Sequence, residues 1–153
     1  MTPFGFVLRL TDSARHLRRL RLWERGKVLG RRGEDLAHRY LQRHGMTVVA
    51  RNYRTATGSA EADLVAWDRD VLVFIEVKTR STAEYGPPDR AIGDEKRRAI
   101  VRAAADYARR AGVSSEKLRF DVVNVIVSAK PSFEHIRDAF AARPLAGGPA
   151  KEQ

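Results

Sequence analysis

The segment from Val71 to Lys78 constrains the fold more than any other part of the 153-residue chain. It is rich in β-branched and aromatic residues and therefore predicts a β-strand. Side chains alternate between the two faces of a strand. Leu72 and Phe74 would lie on one face, and valine and isoleucine would fill the other, so the strand is apolar on both sides for most of its length. Such a strand belongs inside a sheet whose two faces are both covered.

Charged side chains at the end of this strand point to chemistry. Glu76 and Lys78 share a face by alternation, and burying an unpaired carboxylate or ammonium group is costly. Asp63 lies on the preceding β-like segment, which a short polar turn joins to the strand as a hairpin. By the same alternation, Asp63 has the parity of Val65 and Trp67. The two carboxylates could therefore approach each other on neighbouring strands.

Two interpretations of this trio remain open from its spacing. Two carboxylates with nearby backbone carbonyl oxygens suit magnesium, and a lysine beside them could offset charge on a phosphate. A cross-strand ion pair at the margin of the sheet explains the same spacing equally well, because carboxylate–x–lysine is common in strands.

Several short motifs occur in an order that resembles one family. They are Gly33-Glu34, Asn52-Tyr53-Arg54, Glu61-Ala62-Asp63-Leu64-Val65-Ala66, Phe74-Ile75-Glu76-Val77-Lys78-Thr79-Arg80, Tyr85-Gly86, Lys96 and Arg119-Phe120-Asp121-Val122-Val123. The series, over roughly residues 28–140, resembles the YraN-like family of small bacterial proteins. That family is placed within the PD-(D/E)XK nuclease superfamily and is similar in plan to archaeal Holliday-junction resolvases. The resemblance implies an α/β fold, a restriction-endonuclease-like mixed β-sheet flanked by helices with an α-β-β-β-α-β core.

The resemblance also implies a set of site residues. Asp63 and Glu76 would be metal ligands, with the backbone carbonyl of Val77 as a further ligand, and Lys78 would be the catalytic lysine. Glu34 would be an accessory acid. The implied reaction is hydrolysis of phosphodiester bonds in DNA with Mg²⁺ (or Mn²⁺). Branched DNA and a homodimer are implied because the resembled resolvases act on branched DNA as dimers.

One position departs from the family pattern. The family usually has glycine immediately before the glutamate of the Asp63 motif, and this chain has Ala60 there. A glycine would allow a backbone conformation that alanine resists. We therefore expect Gly58 to supply that conformation instead.

The sequence offers candidates for contact with nucleic acid. Arg80 follows the catalytic motif, and Lys96 and Arg97 lie at the start of a helix predicted from Asp94 to Ala111. A solvated helix face explains the basic residues of that helix more simply, although Lys96 could reach a phosphate. A non-catalytic nucleic-acid-binding protein that keeps the nuclease fold is the alternative function.

The net charge of +10 is unevenly distributed. Residues 1–32 contain 9 Lys/Arg and 2 Asp/Glu, a net +7, whereas residues 33–153 contain 20 and 17, a net +3. We divide the chain into a basic extension (1–27, either helical or disordered), a nuclease-like domain (28–142) and a flexible tail (143–153). The extension is interpreted as weakly ordered, as a contact to DNA phosphates, or as a contact to an anionic membrane surface.

Composition excludes several classes of function. The chain has no cysteine, which excludes disulfides, thiol catalysis and cysteine-ligated zinc. No apolar stretch approaches the length of a membrane span, and nothing resembles a cleaved signal peptide, so the cytoplasm is the default location. Two further expectations concern the C-terminal part: Asp121 pairs with Arg119 or a backbone amide, and residues 133–142 form a short closing helix.

Overall fold

A computed structural model of the chain describes residues 3–81 and 92–142, with side chains from residue 15 onward. Residues 82–91 and the predicted C-terminal tail (143–153) lie outside the described residues. The elements in chain order are helix α1 (Pro3–Arg43), strands β1 (Thr47–Arg54), β2 (Glu61–Asp68) and β3 (Val71–Arg80), helix α2 (Asp94–Ala111), a 3₁₀ turn (Ser115–Lys117), and strands β4 (Leu118–Ile126) and β5 (Ser132–Ile136).

The strand predicted from Val71 is the middle strand of the sheet. The five strands follow the order β1-β2-β3-β4-β5. Pairing is antiparallel except between β3 and β4, which run parallel with α2 as their crossover connection. The predicted α/β class, a mixed sheet with flanking helices and an α-β-β-β-α-β core, is therefore confirmed.

Both faces of β3 are covered, as its sequence predicted. Leu72 and Phe74 pack in a cluster with residues of α2, which we call the α2-side cluster. Val73 and Ile75 pack in a second cluster with residues of α1, the α1-side cluster. All four side chains are fully buried. Glu76 and Lys78 have the parity of Phe74, so alternation directs them to the α2 side of the sheet.

Local signals in the sequence set several element ends. The predicted hairpin is confirmed, because Asp68 pairs with Val71 and leaves a two-residue turn in which Arg69 has a φ of 58°. Helix α2 has the predicted bounds, and Gly112 ends it in the left-handed conformation with a φ of 67°. Before β2, Gly58 has a φ of 68° while Ala60 packs in the α2-side cluster, so the loop places its left-handed residue at Gly58, as expected.

The predicted closing helix at residues 133–142 is wrong, because strand β5 occupies the first part of that segment. Strand β4 offers an unpaired edge, and β5 covers it from Val122↔Ile136 to Ile126↔Ser132. The chain then continues along β4, where the amide of Ala139 donates to the carbonyl of Phe120 at 2.8 Å. Tertiary pairing thus overrides the weak local preference for a helix.

Helix α1 is a single element of 41 residues. It runs from Pro3 to Arg43 without a break at residue 27, where the sequence suggested a boundary. Every residue from 15 to 28 is exposed, and we call this stretch the helical arm. Residues from Leu29 onward pack against the sheet in the α1-side cluster.

Gly33 is the point of closest approach between α1 and β3. A Cβ atom at this position would lie 1.9 Å from Oγ1 of Thr79, near the end of β3. No side chain larger than hydrogen fits there without displacement of the helix or the strand. The contact fixes the height of α1 along the sheet and therefore the position of the next residue, Glu34.

We expect Gly33→Ala to destabilise the protein by roughly 1–3 kcal/mol, because the added methyl group forces overpacking against Thr79. Gly30→Ala is the matched control on the same helix, since a Cβ there would meet nothing within 4 Å. The control should stabilise by about 0.5–1 kcal/mol through helix propensity. Urea unfolding of the two variants measures both values, and equal stabilities would contradict the close contact.

Candidate active site

Strands β2 and β3 separate at the position of Asp63. Their last paired residues are Leu64 and Ile75. Beyond this pair, Oδ2 of Asp63 accepts a hydrogen bond from the backbone amide of Val77 at 2.8 Å. A side-chain oxygen thus replaces the strand partner that this amide would otherwise have, and the Asp63 carboxylate lies in the opening between the two strands.

Strict alternation does not describe Asp63. Ala62 and Val65 both pack in the α2-side cluster, whereas Leu64 packs in the α1-side cluster. The alternation is therefore interrupted between Ala62 and Leu64. Its parity predicted that Asp63 would share the face of Val65 and Trp67, but the side chain points along the sheet toward β3.

Glu76 lies beside this opening and is largely buried. Its side chain is 14% exposed, and Nζ of Lys96 lies 3.2 Å from its buried Oε2 atom, which is an ion-pair distance. Burial, followed by repulsion from Asp63, raises the pKa of Glu76 to about 7, against an opposing effect of Lys96.

The raised pKa of Glu76 gives an expected pH dependence of stability. Because the folded state holds this proton more tightly than the unfolded chain, the contribution of Glu76 is fully present below its ordinary pKa of 4.5 and is lost as pH rises through about 7. We expect the metal-free protein to lose stability between about pH 5 and pH 8 relative to Glu76→Gln, which stays neutral. Urea unfolding in EDTA measures the difference, and parallel pH profiles would contradict it.

Lys96 connects α2 to the carboxylates. Besides its contact with Glu76, its Nζ lies 3.7 Å from Oε1 of Glu61 on β2. Burial lowers the pKa of Lys96, but Glu76 and Asp63 outweigh burial and raise it above its ordinary value. Lys96 is therefore held as a cation at the edge of the site.

Glu34 approaches Asp63 from α1. Its Oε2 accepts a hydrogen bond from Nδ2 of Asn52 at 3.1 Å, and Arg51 lies 3.9 Å away. Burial raises the pKa of Glu34, the hydrogen bond from Asn52 lowers it, and Asp63 raises it further, with a net increase. Glu34 and Asp63 are thus electrostatic neighbours.

Of the other predicted residues, Lys78 and Arg80 lie on the strand that carries the site, whereas Arg97 packs elsewhere. Lys78 is half-buried on β3, level with Asn124 of β4 and on the parity of Glu76. Arg80 is the last residue of β3, and its carbonyl accepts from the amide of Val127 at 2.7 Å. Arg97 instead lies 5.7 Å from the ring of Phe140, and its Nε is buried without a hydrogen-bond partner.

Two residues at the site were not singled out from the sequence. Asn52 orients Glu34 and has a φ of 48°, a backbone conformation that asparagine tolerates better than most residues. Glu61 and Glu76 both lie within ion-pair distance of Nζ of Lys96. Asn52 and Glu61 lie within the motifs quoted above, which could have marked them as candidates. Their partners, Glu34 on α1 and Lys96 on α2, are distant in sequence and could not be predicted from the motifs.

Asp121 belongs to a different cluster, as expected. It is fully buried on β4 and accepts hydrogen bonds from Nε of Arg119 at 2.8 Å and from the amide of Asp138 at 3.0 Å. Nε2 of His135 lies 2.8 Å from its other oxygen. Burial opposes ionisation, but the hydrogen bonds from His135 and Arg119 lower the pKa of Asp121 below its ordinary value. Its oxygens are occupied by protein donors.

Comparison with known proteins identifies the family. The model of the uncharacterised protein family UPF0102 matches residues 33–125. The chain belongs to this family. UPF0102 is the YraN-like group of the nuclease superfamily, so the resemblance drawn from the motifs is confirmed. The UPF0102 match begins at Gly33 and Glu34 and includes Asp63, Glu76 and Lys96, whereas the helical arm precedes it.

Similar UPF0102 proteins occur in distant bacteria. A UPF0102 protein of Solibacter usitatus is 54% identical over 136 residues, which is 89% of this chain and 98% of the relative. One from Rhodococcus jostii is 46% identical over 115 residues (74% of this chain, 96% of the relative). One from Geobacter sulfurreducens is 45% identical over 116 residues (74% and 89%). The first of these matches extends over more of this chain than the other two.

Two features are absent from the part of the chain that the structure describes. Within residues 3–81 and 92–142, no three His, Asp or Glu side chains are close enough to enclose a metal ion. In the same part of the chain, no helix combines the length and apolar character that crossing a membrane requires.

Proposed function

We propose that this UPF0102 protein is a metal-dependent endonuclease that hydrolyses phosphodiester bonds in DNA. The observation that carries the proposal is the pair of carboxylates at the opening between β2 and β3. Asp63 lies in the opening, and Glu76 beside it is only 14% exposed, with Nζ of Lys96 3.2 Å from its Oε2. Burial and repulsion between the two acids make ionisation of Glu76 costly despite Lys96. A divalent cation would compensate for both carboxylates, so the proposal gives this pair a function.

The donor set fits a magnesium or manganese ion. Asp63 uses Oδ2 for the amide of Val77 and so keeps its other oxygen for a metal. The amide and carbonyl of one strand residue point to the same side, so the carbonyl of Val77 is also directed to the opening between β2 and β3. Mg²⁺ commonly binds through one or two carboxylates and keeps several waters, which agrees with a site of only two acids and one carbonyl.

The remaining residues have distinct tasks in this proposal. A bound metal would supply Lewis acidity and an activated water. Lys78, on the face of Glu76, would hold the attacking water and stabilise the charge that develops on the phosphate. Glu34 would steady the site from α1 through its link to Asn52, and Lys96 would move from Glu76 toward the phosphate when the carboxylates bind the metal.

The charge of the protein supports a polyanionic substrate. Residues 1–32 carry a net +7, and Arg80 ends the strand that holds the site. Affinity for nucleic acid rests largely on such charge. The choice of DNA, of branched DNA in particular, and of a homodimer rests on the resemblance to the resolvases. Arg97 is a weaker candidate for DNA contact because it packs against Phe140.

Cleavage of linear, flap and four-way DNA with Mg²⁺ or Mn²⁺ tests the proposal. Lys78→Met should reduce the rate by roughly a hundredfold or more, because it removes a charge that acts in the transition state. Lys117→Met is the control, since that side chain is 56% exposed on the 3₁₀ turn and its ion pair with Asp70 is 4.0 Å long. No cleavage by the wild type, together with salt-sensitive DNA binding, would favour the non-catalytic nucleic-acid-binding alternative.

A further inference from the structure

The helical arm extends beyond the end of the sheet that carries the candidate site. Gly33 of α1 lies against Thr79 near the end of β3, and Leu29 and Arg32 lie beside Val127, just past the end of β4. Residues earlier in α1 therefore continue past the sheet at the same end as Glu76. All residues of the arm are exposed, so nothing in the described part of the chain packs over it.

Four arginines of α1 lie on one face. They are spaced by three, four and seven residues, which places them in a single row along a helix. Three of them, with Val127, line an open cavity of about 590 Å³ between the arm and the end of the sheet, and two of those also share an adjoining cavity with the fourth. We call this set the arginine row: Arg18, Arg21, Arg25 and Arg32.

This surface is strongly positive in composition. Residues 15–32 contain eight Lys/Arg and one acid, Glu24, which lines the same cavity. From its first to its last arginine the row covers fourteen residue steps, about 21 Å of helix, which corresponds to about six base pairs of duplex DNA. Guanidinium groups one or two turns apart on one face can contact successive phosphates of such a backbone.

We propose that the arginine row is the surface on which the backbone of duplex DNA docks, so that the duplex extends from the candidate site along the helical arm. One part of this inference, the position of the scissile phosphate at Glu76, rests on the proposed function. The docking itself follows from the row, its cavity and its charge. The exposed apolar residues of the arm, such as Leu17 and Trp23, do not enter the argument.

A matched pair of quadruple variants tests the docking surface. In the row variant, Arg18, Arg21, Arg25 and Arg32 are replaced by glutamine. In the control, Arg15, Arg19, Lys27 and Arg31, which lie outside the row on the same helix, are replaced by glutamine. Both variants lose four positive charges, and glutamine preserves helix propensity, so circular dichroism should show equal helix content.

Fluorescence anisotropy with a duplex in EDTA measures binding without cleavage. We expect the row variant to bind the duplex at least about tenfold more weakly than the wild type. The slope of log K against the logarithm of the salt concentration should become shallower by about 3 to 4. The control should change much less. Equal losses in the two variants, or no loss in either, would overturn the proposal, because affinity would then not depend on this face.

Two parallel measurements separate the other occupants and the catalytic proposal. Two results confined to the row variant would also overturn the docking surface, provided that its DNA affinity is unchanged. One is loss of binding to phosphatidylglycerol vesicles, and the other is a smaller assembly in size-exclusion chromatography. Row-dependent DNA binding by a wild type that does not cleave with Mn²⁺ would instead support the docking surface and contradict the nuclease.

Discussion

Glu76→Gln is expected to reduce DNA cleavage by roughly a thousandfold or more, because it removes a metal ligand and leaves the neighbouring acid to bind alone. The same change should stabilise the metal-free protein above about pH 7, since a neutral amide avoids repulsion from Asp63 and the burial of a charge. Gain of stability with loss of activity distinguishes a functional carboxylate from a structural one. Cleavage rates and urea unfolding, measured on the same preparation, provide both values.

Glu61→Gln is the control for Glu76→Gln. Its carboxylate also contacts Lys96, but it is 43% exposed and pairs with Arg54 at 3.1 Å. We expect a change of less than about tenfold in cleavage, because removing an exposed ion pair has a small effect. Equal residual cleavage in wild type, Glu76→Gln and Lys78→Met would identify a contaminating nuclease. Loss of stability in Glu76→Gln would show that the carboxylate is structural.

Asp121→Ala is expected to destabilise the fold by roughly 3–5 kcal/mol, since it leaves buried donors and a partly buried cation without this partner. Arg119 would lose both of its contacts to Asp121 and keep only the one to Asp68 at 2.8 Å. The amide of Asp138 and the ring of His135 would lose theirs as well. Urea unfolding of the metal-free protein measures the loss.

Asp70→Ala provides the comparison for Asp121→Ala. Asp70 lies in the hairpin turn with a side chain that is 78% exposed, and its ion pair with Lys117 is 4.0 Å long. Its removal should change stability by no more than about 0.5 kcal/mol. A loss below about 1 kcal/mol for Asp121→Ala would mean that the cluster relaxes or admits water, and that its hydrogen bonds contribute little.

The central part of the fold could be predicted because its signals are local. The two apolar faces of β3 located the middle of the sheet, and the apolar stripe of α2 with Gly112 fixed both ends of that helix. Strand β5 could not be predicted in this way, because its structure depends on the open edge of β4, which is distant in sequence. The extension was predicted as either helical or disordered, and the sequence could not decide between the two, since residues 15–28 are exposed and have no core contact that would show helix α1 continuing through residue 27.

The candidate site was predictable in its residues but not in its contacts. Alternation on β3 correctly grouped Glu76 with Lys78. It failed at Asp63, whose bond to the amide of Val77 depends on the separation of β2 from β3. The cation beside Glu76 is Lys96, which comes from α2, and a strand pattern contains no information about a helix packed on its face.

Because α1 is one continuous helix, it fixes both the distance between the arginine row and Glu34 and the direction in which the row faces relative to Glu34. An α-helix turns by about 100° per residue, so one residue inserted between Arg25 and Gly33 would swing the outer part of the row away from Val127. Seven inserted residues, close to two whole turns, would restore its direction about 10 Å further out. Relatives that keep the row should therefore vary in arm length by whole turns. This periodicity can be read directly from aligned family sequences.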